Sequence, residues 1–329
     1  CGGLLLLIVI AILFLFLLNW VIYPDTHAIE YNLMPSIADA GYTNRFHIRK
    51  RMAHYHVPGL SLAIIDGGQI VYKKGYGIAN TNDRTSVGIN TLFQIGSVGK
   101  TIAALTVLSL VNKGVLNLDK DIRMYLKSWK LPVNNISIKY KVNLRHLLSH
   151  TSGFNDDYSA PFSRKKELPS LSEHLRNSRF SVFRTPGEAY FYSGVNYMVI
   201  EQIIEDVTGQ AYSVVAAKEV LKPLGMKHTH FYRILPKKML RRSAFAHRKD
   251  GRIYPDFYPV YPAFAPGTCN WSTAEDLAKL YLELERSFYG KSNKIIPQSL
   301  TRTMIHNHSG AYGLGIKRIV QGKHVFIGH

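Results

Sequence analysis

Two residues three apart, Ser97 and Lys100, carry the most direct chemistry in this chain. On a helix, positions i and i+3 lie one turn apart on one face, which brings an amine within reach of a hydroxyl. Lys100 opens a run to Asn112 with Ile102, Leu105, Leu108, Leu110 and Val111 at near-helical spacing, and Gly114 follows as a stop. The spacing predicts a buried helix that begins at Ser97. There the amine loses water and feels the positive end of the helix dipole, and both favour its neutral, basic form. A neutral amine beside a serine is what a weak alcohol nucleophile requires.

The same spacing recurs at Ser163 and Lys166, but within the polar run Ser163 to Glu167, where a lysine stays hydrated and protonated. Only Ser97 has the apolar helix. Gly99, Lys100 and Thr101 also resemble the end of a phosphate-binding loop, whose first glycine would have to stand at position 94. That position is Gln94, so the phosphate-loop reading fails.

The elements around Ser97 follow from pattern. Arg45 to Tyr55 reads as a short basic helix ended by Pro58 and Gly59. Leu60 to Asp66 and Gln69 to Lys74, joined by Gly67 and Gly68, read as an antiparallel hairpin. Helices are expected over Leu144 to Ser149, Asn196 to Val207, Ala211 to Val220 (closed by Pro223 and Gly225) and Thr273 to Leu284, the last capped by Ser272 or Thr273. Tyr312 to Ile316, Lys317 to Val320 and His324 to Ile327 read as strands. Strands at both ends with a mostly helical middle predict an α/β domain of the α+β type, in which N- and C-terminal strands share one antiparallel sheet flanked by helices.

The chain has 329 residues, 46% hydrophobic and 19% charged, enough to bury a core without disulfides or metals. Its two cysteines, Cys1 and Cys269, exclude a disulfide framework. The formal charge of +19 fits either contact with an anionic surface or a generally basic exterior. The densest basic stretch, Lys237 to Lys249, lacks any nucleic-acid-binding pattern, so no nucleic acid is expected as a partner.

From Leu4 to Leu18 every residue is apolar, and the run continues past Asn19 through Trp20 to Tyr23, about the ~20 residues that cross a bilayer. Residues 1–23 read as a transmembrane anchor, or an uncleaved signal, and 24–44 as a linker. Tyr23 to Asn44 has no Lys or Arg, which places the domain at 45–329 on the non-cytoplasmic side.

With these features in view, the chain resembles the serine β-lactamase and penicillin-binding-protein family in its class C-like branch. The resemblance rests on Phe93 to Lys100 with the following apolar helix and Gly114 to Asp119, on Leu147 to Gly153, on Pro186 to Ser193, on Val207 to Gly209, on Pro223 to Met226, on Ser272 to Leu277 and on Tyr312 to Gly315, in family order. It implies a β-lactamase/transpeptidase-like fold, with Ser97 as nucleophile, Lys100 as base and Tyr192 as the residue that relays the proton to the leaving group. It implies acyl transfer on ester, D-amino-acid peptide or β-lactam substrates through an acyl-enzyme, with no metal or organic cofactor. Where the family often has asparagine two residues after the tyrosine, this chain has Gly194, which points away from amides and towards esters. Asn196 should face elsewhere. His329 matches the start of the strand motif facing the nucleophile, and the chain is read as truncated just beyond it.

Other residues carry weaker signals. His146 and His150 share a helical spacing but lack a third metal ligand, so a structural role is expected. The aromatics Tyr254, Phe257, Tyr258, Tyr261 and Phe264 fit either a cleft lining or ordinary packing. The alternative to a hydrolase is a catalytically silent wall- or peptide-binding module with the same fold, for which the loss of asparagine at Gly194 is the best argument.

Overall fold

The computed structural model describes residues 26–31, 46–156, 161–248, 250–254, 256–306, 308–322 and 324–329. The apolar run expected to span a membrane lies outside them. Among the described residues no helix is long and apolar enough to cross a membrane. Within the expected linker, helix α1 (Thr26–Tyr31) lies against the domain, its Glu30 carboxylate accepting from Tyr76, Tyr72 and Lys74.

Helix α2 (Ile48–His54) leads into strands β1 (Gly59–Asp66) and β2 (Gln69–Asn80). They pair antiparallel from Gly59 opposite Gly77 to Asp66 opposite Gln69. Gly67 and Gly68 both have positive φ, +54° and +74°, as a tight turn matching strand twist requires. A short β3 (Thr85–Ser86) extends this sheet, and a second sheet has the order β4 (Phe93–Gln94), β6 (Asn270–Ser272), β5 (His230–Phe231).

The helical middle holds the core. Helix α3 (Gly99–Asn112) is buried continuously from Gly99 to Leu110, as a helix that is apolar on every side must be. It packs against α5 (Val195–Thr208), buried from Val195 to Ile204, while α4 (Leu144–Leu148) packs on α5 from another side. Helix α6 (Ala274–Phe288), capped by Thr273 Oγ1 accepting from Asp276 N–H, lies across β1 and β2, and α7 (Gln298–Ile305) lies on α6.

Three expectations change in detail. The terminal strands do not join in one hydrogen-bonded sheet among the described residues: β7 (Lys317–Gln321) and β8 (His324–Gly328) form their own antiparallel ladder. Tyr312 to Ile316 is not a continuous strand: Tyr312 makes only isolated bridges, Gly313 N–H turns back to the Ile316 carbonyl, and Leu314 and Gly315 N–H go to the Met304 and Leu148 carbonyls of helices. The helix expected to be closed by Pro223 and Gly225 does not stop at Pro223 but widens into a π turn over Ala217–Leu221 and runs on through Lys222–Leu224, where Gly225 ends it in the left-handed conformation. A widened turn tolerates the missing N–H of proline.

Candidate active site

Ser97 sits in a 3₁₀ turn, Gly96–Val98, that feeds directly into α3, so its side chain stands just ahead of the α-helix rather than at its first residue. Lys100, on the first turn of α3, is 2% exposed. Its Nζ lies 2.9 Å from Ser97 Oγ and donates to the Pro266 carbonyl at 2.8 Å. Burial pulls its pKa down to about 7, with the Asp156 carboxylate pulling the other way. The amine also lies over the rings of Tyr192 and Tyr197, 5.0 and 5.5 Å from their centroids.

Tyr192, just before α5, donates its hydroxyl to Ser97 Oγ at 2.8 Å. Burial raises its pKa, so the phenol keeps its proton at neutral pH; the bond to Ser97 opposes that shift and the Asp156 charge adds to it. On the other side of this hydroxyl, His329 Nε2 stands 3.3 Å away, and His329 Nδ1 lies 3.1 Å from the Tyr312 hydroxyl. Burial, with the charges of Lys100 and Lys317, lowers His329 to about 4, so its imidazole is neutral. Ser97, Lys100, Tyr192 and His329 therefore meet at one point.

Gly194 differs: it is buried at the N-terminus of α5, with its N–H donated to Asp156 Oδ1 at 2.9 Å. Asn196 turns into the core, as expected, bonding His150 Nδ1 and Ser152 Oγ. Ser163 is apart from this cluster and donates to Asp256 Oδ2 at 3.0 Å, while Lys166 is exposed. Of the aromatic run, Tyr258 packs against Trp271 and Phe257 stacks on Phe245, while Tyr254 is exposed. Among the described residues no group of three or more His, Cys, Asp or Glu is placed to hold a metal ion.

A family model described as Beta-lactamase matches residues 45–315. The chain belongs to the Beta-lactamase family. Solved structures that share its fold include a penicillin-binding protein homologue, a D-amino acid amidase and a hydrolase with promiscuous acyltransferase activity. The chain is 30% identical over 177 residues to Protein flp of Staphylococcus aureus (strain MRSA252), covering 54% of this chain and 35% of that protein. It therefore spans about a third of the length of that relative. Among solved structures, the octameric penicillin-binding protein homologue from Pyrococcus abyssi superposes with a TM-score of 0.68 at 27% identity, covering 86% of this chain and 66% of that one. The D-amino acid amidase from Ochrobactrum anthropi SV3 superposes with a TM-score of 0.67 at 24% identity, covering 85% and 81%, a likeness of fold.

Three further groups adjoin this cluster in this Beta-lactamase family member. His150, read from sequence as structural, accepts Ser193 N–H on Nδ1 and lies behind Tyr192. Asp156 binds Ser193 Oγ and Gly194 N–H at the start of α5, and its charge is felt at both Lys100 and Tyr192. The Pro266 carbonyl has no side-chain signal at all. His150 at least lies inside a family landmark, Leu147 to Gly153.

Proposed function

We propose that this chain is an acyl-transfer serine hydrolase that works through an acyl-enzyme on Ser97. The reading is carried by one arrangement: the Ser97 hydroxyl lies between a buried amine at 2.9 Å and a phenol at 2.8 Å. The neutral Lys100 amine takes the Ser97 proton as Oγ bonds to the substrate carbonyl carbon, and one of its N–H groups stays on the Pro266 carbonyl. The Ser97 backbone N–H supplies one donor to the oxyanion. As the tetrahedral intermediate collapses, the bond to the leaving oxygen or nitrogen breaks, and the proton reaches that atom through the Tyr192 hydroxyl. Water then attacks the acyl-enzyme, gives up a proton to the same relay, and Ser97 Oγ leaves with a proton restored.

Esters fit the site better than amides or β-lactams. Position 194 offers no side-chain amide, and the Asp156 carboxylate beside it disfavours acyl donors that carry their own carboxylate. The N-terminal apolar run and the Lys- and Arg-free stretch after it support a membrane anchor with the domain outside the cytoplasm. Cell fractionation and protease protection in spheroplasts test that placement, and full solubility of the uncut chain contradicts it.

Intact-mass analysis after incubation with a fluorophosphonate tests the chemistry. One adduct is expected, lost in Ser97→Ala and retained in Ser163→Ala. Equal labelling of both variants, or none of the wild type, refutes the reading; the second result leaves a silent binding module.

A further inference from the structure

Besides its contact with Ser97, Lys100 is held by a backbone atom, the Pro266 carbonyl, and a carbonyl is only as well placed as its chain. Residues 261–268 belong to no helix or strand. They are tied down by side chains instead: Arg233 donates to the Pro262 carbonyl, Thr268 Oγ1 to the Ala263 carbonyl, and Gln94 to the Pro259 and Thr268 carbonyls.

The ties next to Pro266 come from α5. Glu201 Oε2 accepts the N–H of Phe264 at 2.7 Å and of Ala265 at 2.6 Å, the two residues directly before Pro266. Glu201 is 0% exposed, and among the described residues its Oε1 has no hydrogen-bond partner. An apolar residue would fill this place in the core at lower cost, so the carboxyl is explained by the two N–H groups it satisfies.

We propose that Glu201 is a positioning residue for the acyl-transfer site: it fixes the strap 264–267, and through Pro266 it sets the position and dryness of the Lys100 amine. The inference rests on the reading of Lys100 as base. Arg233, Glu205, Tyr212 and Cys269 are the charged or titratable groups that face Glu201. Burial raises its pKa to about 8, against the pull of the two N–H bonds, so near neutrality it is mostly protonated. Its work is then that of a hydrogen-bond acceptor, which a glutamine also performs.

The test compares Glu201→Gln, Glu201→Met and the shortened Glu201→Asp with the wild type. Hydrogen exchange of residues 261–268 reads the strap, and the pH dependence of fluorophosphonate labelling at Ser97 reads the amine. Glu201→Gln should match the wild type in both. Glu201→Met and Glu201→Asp should speed exchange in this segment by about tenfold or more. They should also slow labelling by roughly 10 to 100-fold, with the acid limb moved to higher pH, because a rehydrated amine holds its proton more tightly. If Glu201→Met fails to fold, Glu201→Asp carries the comparison. Wild-type exchange and an unmoved acid limb in the folded variants overturn the proposal. If the wild type never labels, the functional reading fails by itself, and exchange alone decides the strap, unchanged protection in the variants overturning it.

Discussion

The His150 imidazole stacks on the Tyr192 phenol, with ring centroids 4.3 Å apart and planes 29° from parallel. It is fully buried, and burial, helped by the Lys100 amine when that is charged, keeps it neutral. Its Nδ1 serves the N–H of Ser193 and the amide of Asn196, so the ring that backs the phenol is bonded to the start of α5. His150→Leu keeps the bulk and removes that acceptor. It should cost about 2–4 kcal/mol of stability, from two buried donors left unpaired. With Tyr192 loosened, kcat for an activated ester should fall roughly tenfold while KM changes little. Calorimetry and steady-state kinetics check both, and an unchanged kcat contradicts the support role.

Labelling of Ser97 should follow the Lys100 amine. With a pKa of about 7, its basic fraction falls roughly tenfold for each step of one in pH below that point, and the labelling rate should fall with it. Lys100→Arg should lose about 10² or more in rate, because arginine does not deprotonate. A rate that is flat from pH 5 to 8 would point to another base; stopped assays across about that range decide it.

The same amine costs stability. Its folded pKa is about 7 against an ordinary 10.5, so between those values the unfolded chain binds more protons and stability rises with pH. The contribution is present above pH 10.5 and lost as pH falls through 7. Lys100→Met should therefore be more stable than the wild type at pH 7 by a few kcal/mol, since each tenfold loss of proton affinity on folding is worth about 1.4 kcal/mol. The gap should narrow towards pH 10, as urea midpoints at the two pH values would show. A constant gap argues against a depressed amine.

Glu201 has the opposite sign. Its folded pKa is about 8 and its ordinary value 4.5, so over that window the folded chain binds more protons and stability falls as pH rises. Glu201→Gln lacks this dependence. Between pH 5 and 8 the wild type should lose a few kcal/mol more than the variant, by the same conversion of proton affinity into free energy. Parallel denaturation profiles would rule out a raised carboxyl.

Gly194→Asn should raise amide turnover relative to ester turnover by roughly tenfold, through one added hydrogen bond to a substrate amide. Its backbone, at φ −66° and ψ −30°, is not one that demands glycine, and the N–H bond to Asp156 does not depend on the side chain. Paired assays of a p-nitrophenyl ester and the matching anilide measure the ratio. Wild-type hydrolysis of the anilide as fast as the ester would remove the premise.

How much of this was legible varies by residue. Ser97 and Lys100 declare themselves because their signal is local: a three-residue spacing and the apolar helix that follows. Tyr192 and His329 have no local signal, and only the family likeness singles them out, because they reach Ser97 across 95 and then 137 residues. Pro266 acts through its backbone carbonyl, which side-chain types do not encode. The alternation in Tyr312 to Ile316 imitates a strand, but Gly315 there has positive φ and sits where a side chain would strike Ala104 on α3. Periodicity reports which face is apolar and says nothing of which neighbour supplies the hydrogen bonds.

Gly267 presses so closely on the turn that holds Ser97 that a Cβ there would stand 1.9 Å from the Gly96 carbonyl oxygen. The lysine contact beside it spans 166 residues. Closing a loop of that length is among the slower events open to a chain, and it gains contacts only after helices such as α3 have local partners. Ser97 and Lys100 can thus be neighbours early, while the amine remains wet and protonated until the 261–268 segment closes over it. Reactivity at Ser97 would then mark the end of folding: a partly folded chain carries the serine and lysine but not yet the nucleophile.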